Sequence, residues 1–140
     1  MNIKVNLKQL GKRRDKISGE DFNIENKPTN VRELICEVVH TCVYCYNNRV
    51  EQKDNAAVIE ADKIEKMGEL GKIAFGINYG GRKADEEEAV QTALQAFEDG
   101  LFRVFLGDKE LTELSENITI TEDDSLTFIR LTMLSGRMYI

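Results

Sequence analysis

Side chains suited to binding a metal ion lie close together in one stretch of the chain: Cys36, His40, Cys42 and Cys45. Thiolates and imidazoles are the usual ligands of zinc, so a zinc site is one interpretation. On a straight helix, however, Cys36 and His40 share one side while the two later cysteines face another, so the ligands do not converge on one point. We therefore predict no metal site and expect the cysteines to be small apolar core residues. The zinc site remains the weaker alternative.

The same stretch offers little for catalysis. A redox cysteine needs a thiol pKa lowered by a helix N-terminus, and Cys42 falls in the middle of a predicted helix. His40 is the only histidine of the chain, and no serine or cysteine is placed beside it as an activated nucleophile. No separated carboxylates lie in an apolar setting that would push their pKa values apart. We predict that the chain is not an enzyme and uses no cofactor.

Two other motifs have simple structural explanations. Residues 85–88 are all acidic, and negative charge is favourable in the first turn of a helix. The Gly80-Gly81-Arg82 stretch lacks the glycine spacing and the Lys-Ser/Thr pair of a phosphate-binding loop, so we interpret it as a turn.

The composition bounds the class of protein. The 140 residues are 41% hydrophobic and 31% charged, with one proline and no tryptophan, which predicts one globular domain over residues 1–140. A net charge of −6 disfavours nucleic acid and acidic lipid as partners. No apolar run is long enough to span a membrane, and no signal peptide is recognisable. The three cysteines do not form a secreted disulfide pattern, so we expect a cytoplasmic protein.

The N-terminal region predicts a β-hairpin. Residues Asn2–Lys8 alternate between apolar and polar side chains, which is typical of a strand with one solvent-exposed face, and a second strand ends near Phe22. Gly19 indicates a bulge or an irregular return of the chain. The tip is basic, and Arg13 and Arg14 are candidate contacts to an acidic partner. In the other interpretation they are solvated charges that discourage pairing at the sheet edge.

Helices follow the hairpin. An Asn30-x-x-Glu33 pattern starts an amphipathic helix that ends between Asn47 and Lys53. The next part of the chain, about 54–100, predicts a helix over 55–67, a short strand over 72–78 and a second long helix. That last helix starts at Asp85, whose side chain is a suitable cap, and stops at Gly100.

The last third predicts two more main strands. The stretch Leu101–Leu106 is apolar on both faces, so we expect a strand that is covered on both sides. The final strand is predicted over Leu126–Leu134. Arg130 is unusual within it, and we expect its side chain to reach an edge or to pair with a carboxylate.

This order and spacing resemble ubiquitin and its β-grasp relatives. The resemblance covers Leu101–Arg137 and, at the start, MNIKVNLKQLGK and TNVRELI. It implies an α+β fold: a β-grasp mixed sheet with a long helix after the first hairpin and the last strand parallel to the first at the centre. Ubiquitin has only a short connection where this chain has residues 54–100, so that part is interpreted as an inserted helical segment before the third main strand.

Two functions are compatible with the resemblance, and they assign different roles to the C-terminal tail. In the first, the chain docks without covalent attachment on a larger protein, with the inserted segment as the specific surface. Met138, Tyr139 and Ile140 then pack on the partner or on the domain's own sheet. In the second, it is a protein modifier or a sulfur carrier. Such proteins are activated at a C-terminal glycine, which Ser135-Gly136 offers, and Arg137 and the residues after it are first removed. An activating enzyme and a processing peptidase would then be its partners. We expect docking, with the modifier as the alternative.

Overall fold

The computed structural model describes residues 2–9, 17–52, 70–71, 73–77 and 85–131, apart from the side chains of 48–52. These residues form an α+β fold, as the sequence predicts. The helices and strands are β1 (Asn2–Gln9), β2 (Ile17–Asn23), α1 (Val31–Gln52), α2 (Glu86–Glu98), β3 (Phe102–Leu106), β4 (Lys109–Leu111) and β5 (Ser125–Arg130).

The strands form one five-stranded mixed sheet in the order β2-β1-β5-β3-β4. β5 lies at the centre and runs parallel to β1, with Val5 opposite Leu126, and all other neighbours are antiparallel. The predicted parallel pairing of the first and last strands is confirmed. Strand β5 ends at Arg130, and the predicted continuation over 132–134 lies outside the described residues.

The β1–β2 hairpin contains the predicted bulge. The pairing register shifts between Val5 and Leu7. Gly19 adopts a φ of 62°, and its N–H donates to Asn6 Oδ1 at 2.7 Å. A positive φ is disfavoured for residues with a Cβ atom, so glycine is required to make this bulge without strain.

Both long helices begin at the predicted caps. Asn30 Oδ1 accepts the N–H of Glu33 at 2.8 Å, but the reciprocal contact differs from a standard capping box. Glu33 Oε1 accepts the N–H and the hydroxyl of Thr29, each at 2.9 Å, rather than the N–H of Asn30. At α2, Asp85 Oδ1 accepts the N–H of Glu87 at 3.0 Å, and the chain leaves the helix at Gly100 with a φ of 73°.

The core lies on one face of the sheet. Inward residues of the strands alternate with exposed ones, and α1, α2 and residues 70, 74, 75 and 77 supply the opposing apolar side chains. Its fully buried members include Val5, Leu7, Leu34, Val38, Cys42, Phe75, Ala93, Val104, Leu126 and Phe128. Because every covering element packs on this side, the other side of the sheet has no helix on it in the described part of the chain.

Among the described residues, β3 does not have the predicted coverage on both sides. Phe102 and Val104 point into the core, whereas Arg103 is exposed and Phe105 is only half-buried. Leu101 and Leu106, at the two ends of the stretch, pack against the rim of the core. Only Phe105 therefore makes the second face of this strand apolar. We call the helix-free side, which carries Lys8, Arg103, Phe105 and Ile129, the open face.

The predicted strand over 72–78 is also wrong, because residues 70–71 and 73–75 are helical. Leu70 and Ala74 are both fully buried, and their spacing of four places them on one side of a helical turn. The turn seats the Phe75 ring between two strands, 5.1 Å from the ring centre of Phe102 and 5.4 Å from that of Phe128. The predicted helix over 55–67 and the turn at Gly80-Gly81-Arg82 lie outside the described residues.

Candidate functional site

Most of the predicted site residues fall outside the described part of the chain. This holds for the hairpin tip with Arg13 and Arg14 and for the whole tail, Ser135, Gly136, Arg137, Met138, Tyr139 and Ile140. Their proposed roles stay predictions. The residues that the structure does describe provide two other candidate sites: a histidine held by carboxylates beside α1, and the open face of the sheet.

The cysteines of α1 are free thiols in the described structure. Cys42 is fully buried, and burial raises its pKa well above the ordinary value, with the nearby Cys45 adding to the effect and a hydrogen bond from the Gly71 backbone opposing it. Burial likewise raises the pKa of the half-buried Cys36. Both thiols are therefore held neutral and are poor nucleophiles. Among the described residues, no group of three His, Cys, Asp or Glu side chains is arranged to hold a metal ion.

His40 lies between two carboxylates from other parts of the chain. Its Nδ1 atom is 2.6 Å from Glu86 Oε1, in the first turn of α2, and its Nε2 atom is 3.3 Å from Glu25 Oε2, in the loop after β2. The Tyr44 ring, one turn further along α1, stacks on the imidazole with 6.5 Å between ring centres. A cavity of about 290 Å³ opens beside this cluster, lined also by Asn23, Thr41 and Cys45.

The surroundings of His40 shift its pKa in opposite directions. Partial burial lowers the pKa, whereas the hydrogen bond and the charge of Glu86, followed by the charges of Glu25 and Glu37, raise it. The carboxylates outweigh burial, so the pKa of His40 lies above its ordinary value. Sequence reasoning singled out this histidine but not its partners, because both carboxylates reach it only through the tertiary fold.

The open face has a small apolar centre. Ile129 and Phe105 are half-buried there, and neither is among the residues packed against the core. Cross-strand pairing places Lys8 and Arg103 on either side of Ile129. Next to Phe105 lies Thr127. Its hydroxyl accepts a hydrogen bond from the side-chain amide of Asn6, on β1, at 3.3 Å. The apolar centre therefore lies on three neighbouring strands, β1, β5 and β3, whose backbone groups are paired within the sheet.

The charges around this centre are only weakly compensated. Arg103 Nε lies 3.9 Å from Glu110 Oε2, at the limit of an ion pair, and Lys8 has no carboxylate within 4 Å in the described part of the chain. Further out, Lys4 and Asp21 pair at 2.7 Å across the hairpin. Exposed pairs of this kind contribute little to stability. The surroundings of Ile129 are thus locally basic on a chain whose net charge is −6, whereas Glu110 lies opposite Phe105 on β4.

Arg130 lies on the other face and does not pair with a described carboxylate. Its Nη1 atom donates to the carbonyl oxygen of Ala74 at 3.4 Å. That carbonyl is at the C-terminal end of the short helical stretch, where such groups lack an intrahelical partner. A cationic donor is favourable there. The unusual arginine of β5 therefore has a structural role in fastening residues 70–77 to the central strand.

Comparison with protein-family models, with curated proteins and with solved structures finds no match to this chain. Among the described residues, no helix combines the length and the apolar character needed to cross a membrane. The described residues form an α+β fold with a five-stranded mixed sheet, and the helices pack on one side of that sheet.

Proposed function

We propose that this chain is a ubiquitin-like β-grasp domain that acts by docking on a larger protein, without catalysis. The fold assignment is supported by the strand order, by the parallel β1–β5 pair at the centre and by a long helix directly after the first hairpin. The fold alone does not identify a function, since unrelated activities share it. The docking role depends on the open face.

One observation carries the proposal: two large apolar side chains, Ile129 and Phe105, lie on a sheet face that no described helix covers. Protein interfaces have an apolar centre, often with aromatic and arginine residues, and a polar rim. Here the centre is flanked by Lys8 and Arg103. The matching partner surface would present an apolar side chain with acidic groups around it.

The rigidity of the open face also favours docking. Its residues belong to β1, β3 and β5, and the central β5 pairs with each of the other two in continuous register. Side chains on such strands need little ordering when a partner binds, so less conformational entropy is lost. A partner would therefore find the site preformed.

The described side chains that could act as a base or a nucleophile also support a role without catalysis. Both nitrogens of His40 are occupied by carboxylates. The thiols of Cys36 and Cys42 have raised pKa values and are not activated. Neither group has the free base or the activated nucleophile that covalent or acid–base catalysis requires.

Docking is tested by purifying the full-length chain from its native host and identifying the protein that co-purifies with it. Two matched variants are purified in the same way. Ile129→Ser removes the centre of the open face, and Tyr44→Ser removes an exposed aromatic ring from the helical side. We expect Ile129→Ser to lose the bound protein and Tyr44→Ser to retain it, with circular dichroism showing that both are folded. Equal recovery with both variants would contradict docking through this face.

The same preparation tests the modifier alternative through intact mass. A modifier would lose Arg137 to Ile140, or would be found attached covalently to another protein through Gly136. Docking predicts an unclipped, unattached chain in a complex that dissociates under denaturing conditions. A clipped or conjugated chain would replace the docking proposal with the modifier or sulfur-carrier role.

A further inference from the structure

His40 connects three parts of the chain that are distant in sequence. It belongs to α1, Glu25 lies in the loop after β2, and Glu86 lies in the first turn of α2. The His40 side chain is 31% exposed, whereas those of Glu25 and Glu86 are 70% and 48% exposed, so the contacts are partly solvated and accessible to protons. This three-part contact is separate from the open face and has no part in the proposed docking.

The geometry fixes the protonation state that the contact needs. A neutral imidazole has one N–H donor and one nitrogen lone pair, whereas the imidazolium has two N–H donors. In the structure both ring nitrogens of His40 face carboxylate oxygens, at 2.6 and 3.3 Å. The Nδ1–Glu86 contact has the geometry of a hydrogen bond, whereas the Nε2–Glu25 contact is an attraction between charges. The protonated ring satisfies both contacts. A neutral ring that keeps its proton on Nδ1 retains the bond to Glu86 but loses the attraction to Glu25 and turns a lone pair toward it.

The other charged and titratable groups described near His40 do not supply the positive charge that its proton gives to the contact. On α1, Glu37 adds negative charge, although its carboxylate also accepts hydrogen bonds from the backbone and side chain of Asn26. Cys36, one turn earlier on α1, has a raised pKa and carries no charge near neutral pH. In the described part of the chain, neither Glu25 nor Glu86 has a lysine or arginine within 4 Å.

We propose that His40 is a pH-sensitive latch that, when protonated, fastens the β2–α1 loop and the first turn of α2 to α1. When it loses its proton, it releases the loop and weakens the contact with α2. The released part is limited. Residues 86–88 are exposed, while Ala89, Ala93 and Phe97 remain in the core. The first turn of α2 therefore loosens without unfolding of the rest of the helix.

The direction of the effect follows from the raised pKa of His40. A histidine that is more basic in the folded state contributes stability that is fully present below its pKa in the unfolded chain. This stability is lost as the pH rises through the higher pKa of the folded state. The latch is therefore closed in mildly acidic solution and opens toward alkaline pH.

The experiment is a pH titration of the full chain by proton NMR. Because the chain has one histidine, its C2–H signal reports His40 without ambiguity. We expect a midpoint above that of the same chain unfolded in urea, and a lower midpoint in Glu86→Gln and in Glu25→Gln. Glu110→Gln, which removes a carboxylate from β4, should leave the midpoint unchanged.

Hydrogen exchange shows whether the contact acts as a latch. Exchange at the amides of Glu88 to Val90, relative to amides of β5 at the same pH, should rise on the order of three- to tenfold above the midpoint, since the hydrogen bond to Glu86 loses the positive charge of its donor. Glu86→Gln should show the fast exchange at every pH. A midpoint at or below the unfolded value, or an exchange ratio that does not change with pH, would overturn the proposal.

Discussion

Arg130 donates a hydrogen bond from Nη1 to the carbonyl oxygen of Ala74, 3.4 Å away. This contact joins the last residue of the central strand to the end of a short helical stretch 56 residues earlier. Arginine is uncommon in the middle of a sheet, and here its side chain caps the end of a helical stretch. It also explains how residues 70–77 stay on the sheet, since the Phe75 ring lies beside the same strand.

Replacing Arg130 by methionine, which keeps most of the side-chain volume, should lower the free energy of unfolding by about 0.5–1.5 kcal/mol, the usual value of one hydrogen bond. Urea denaturation measures this change. Arg103→Met is the matched control, because Arg103 lies on the open face and is exposed. Its effect should stay within about 0.5 kcal/mol. Equal effects of the two substitutions would contradict the capping role.

Phe75→Ala should destabilise the protein by about 3–5 kcal/mol, the range for removing a fully buried aromatic ring. The ring packs edge-on against Phe102 and Phe128. Tyr44→Ala, at an exposed aromatic position, should change the free energy of unfolding by less than about 0.5 kcal/mol. If Phe75→Ala is as mild as the control, residues 70–77 do not pack on the sheet as described.

The C-terminal end of α2 depends on glycine. The N–H of Gly100 donates to Phe97 C=O and that of Leu101 to Ala96 C=O, the Schellman pattern that requires a positive φ at the glycine. An added Cβ would meet no atom within 4 Å, so only the backbone conformation opposes it. Gly100→Ala should destabilise by about 1–2 kcal/mol, and Gly100→Asn by less, as thermal unfolding would show. The reverse order would argue against this backbone geometry.

The start of α1 should make stability sensitive to acid. Hydrogen bonds from the backbone and hydroxyl of Thr29 lower the pKa of the exposed Glu33 carboxyl. The lowered pKa contributes stability above the ordinary pKa of glutamate, and this is lost as the pH falls through the pKa of the folded state. Glu33→Gln should therefore flatten the acid side of the stability–pH curve and have no effect on its alkaline side. An unchanged acid side would show that the cap does not stabilise the helix.

Local patterns predicted those parts of the fold that local chemistry determines. The alternation in β1, the Asn30 and Asp85 caps and the stop at Gly100 all rest on residues within a few positions of each other. The parallel pairing of β1 with β5 was predicted from the resemblance to ubiquitin, because no local pattern specifies which distant strands meet.

The wrong predictions have a common physical origin. The apolar pattern of residues 73–77 fits both a strand and a helical turn, and the packing of Phe75 against two distant strands favours the turn. The coverage of β3 depended on the side of the sheet on which α2 packs. Similarly, Glu25 and Glu86 reach His40 only after the fold has formed, so no spacing in the sequence indicates them.

Docking through the open face is tested most directly by the affinity of the purified full-length chain for the protein that co-purifies with it. Titration calorimetry should show that Ile129→Ser weakens binding by about tenfold or more, as expected for an apolar residue at the centre of an interface. Tyr44→Ser, on the helical side, should bind within about twofold of the unmodified chain. Undiminished affinity of the Ile129→Ser protein would contradict the proposed function.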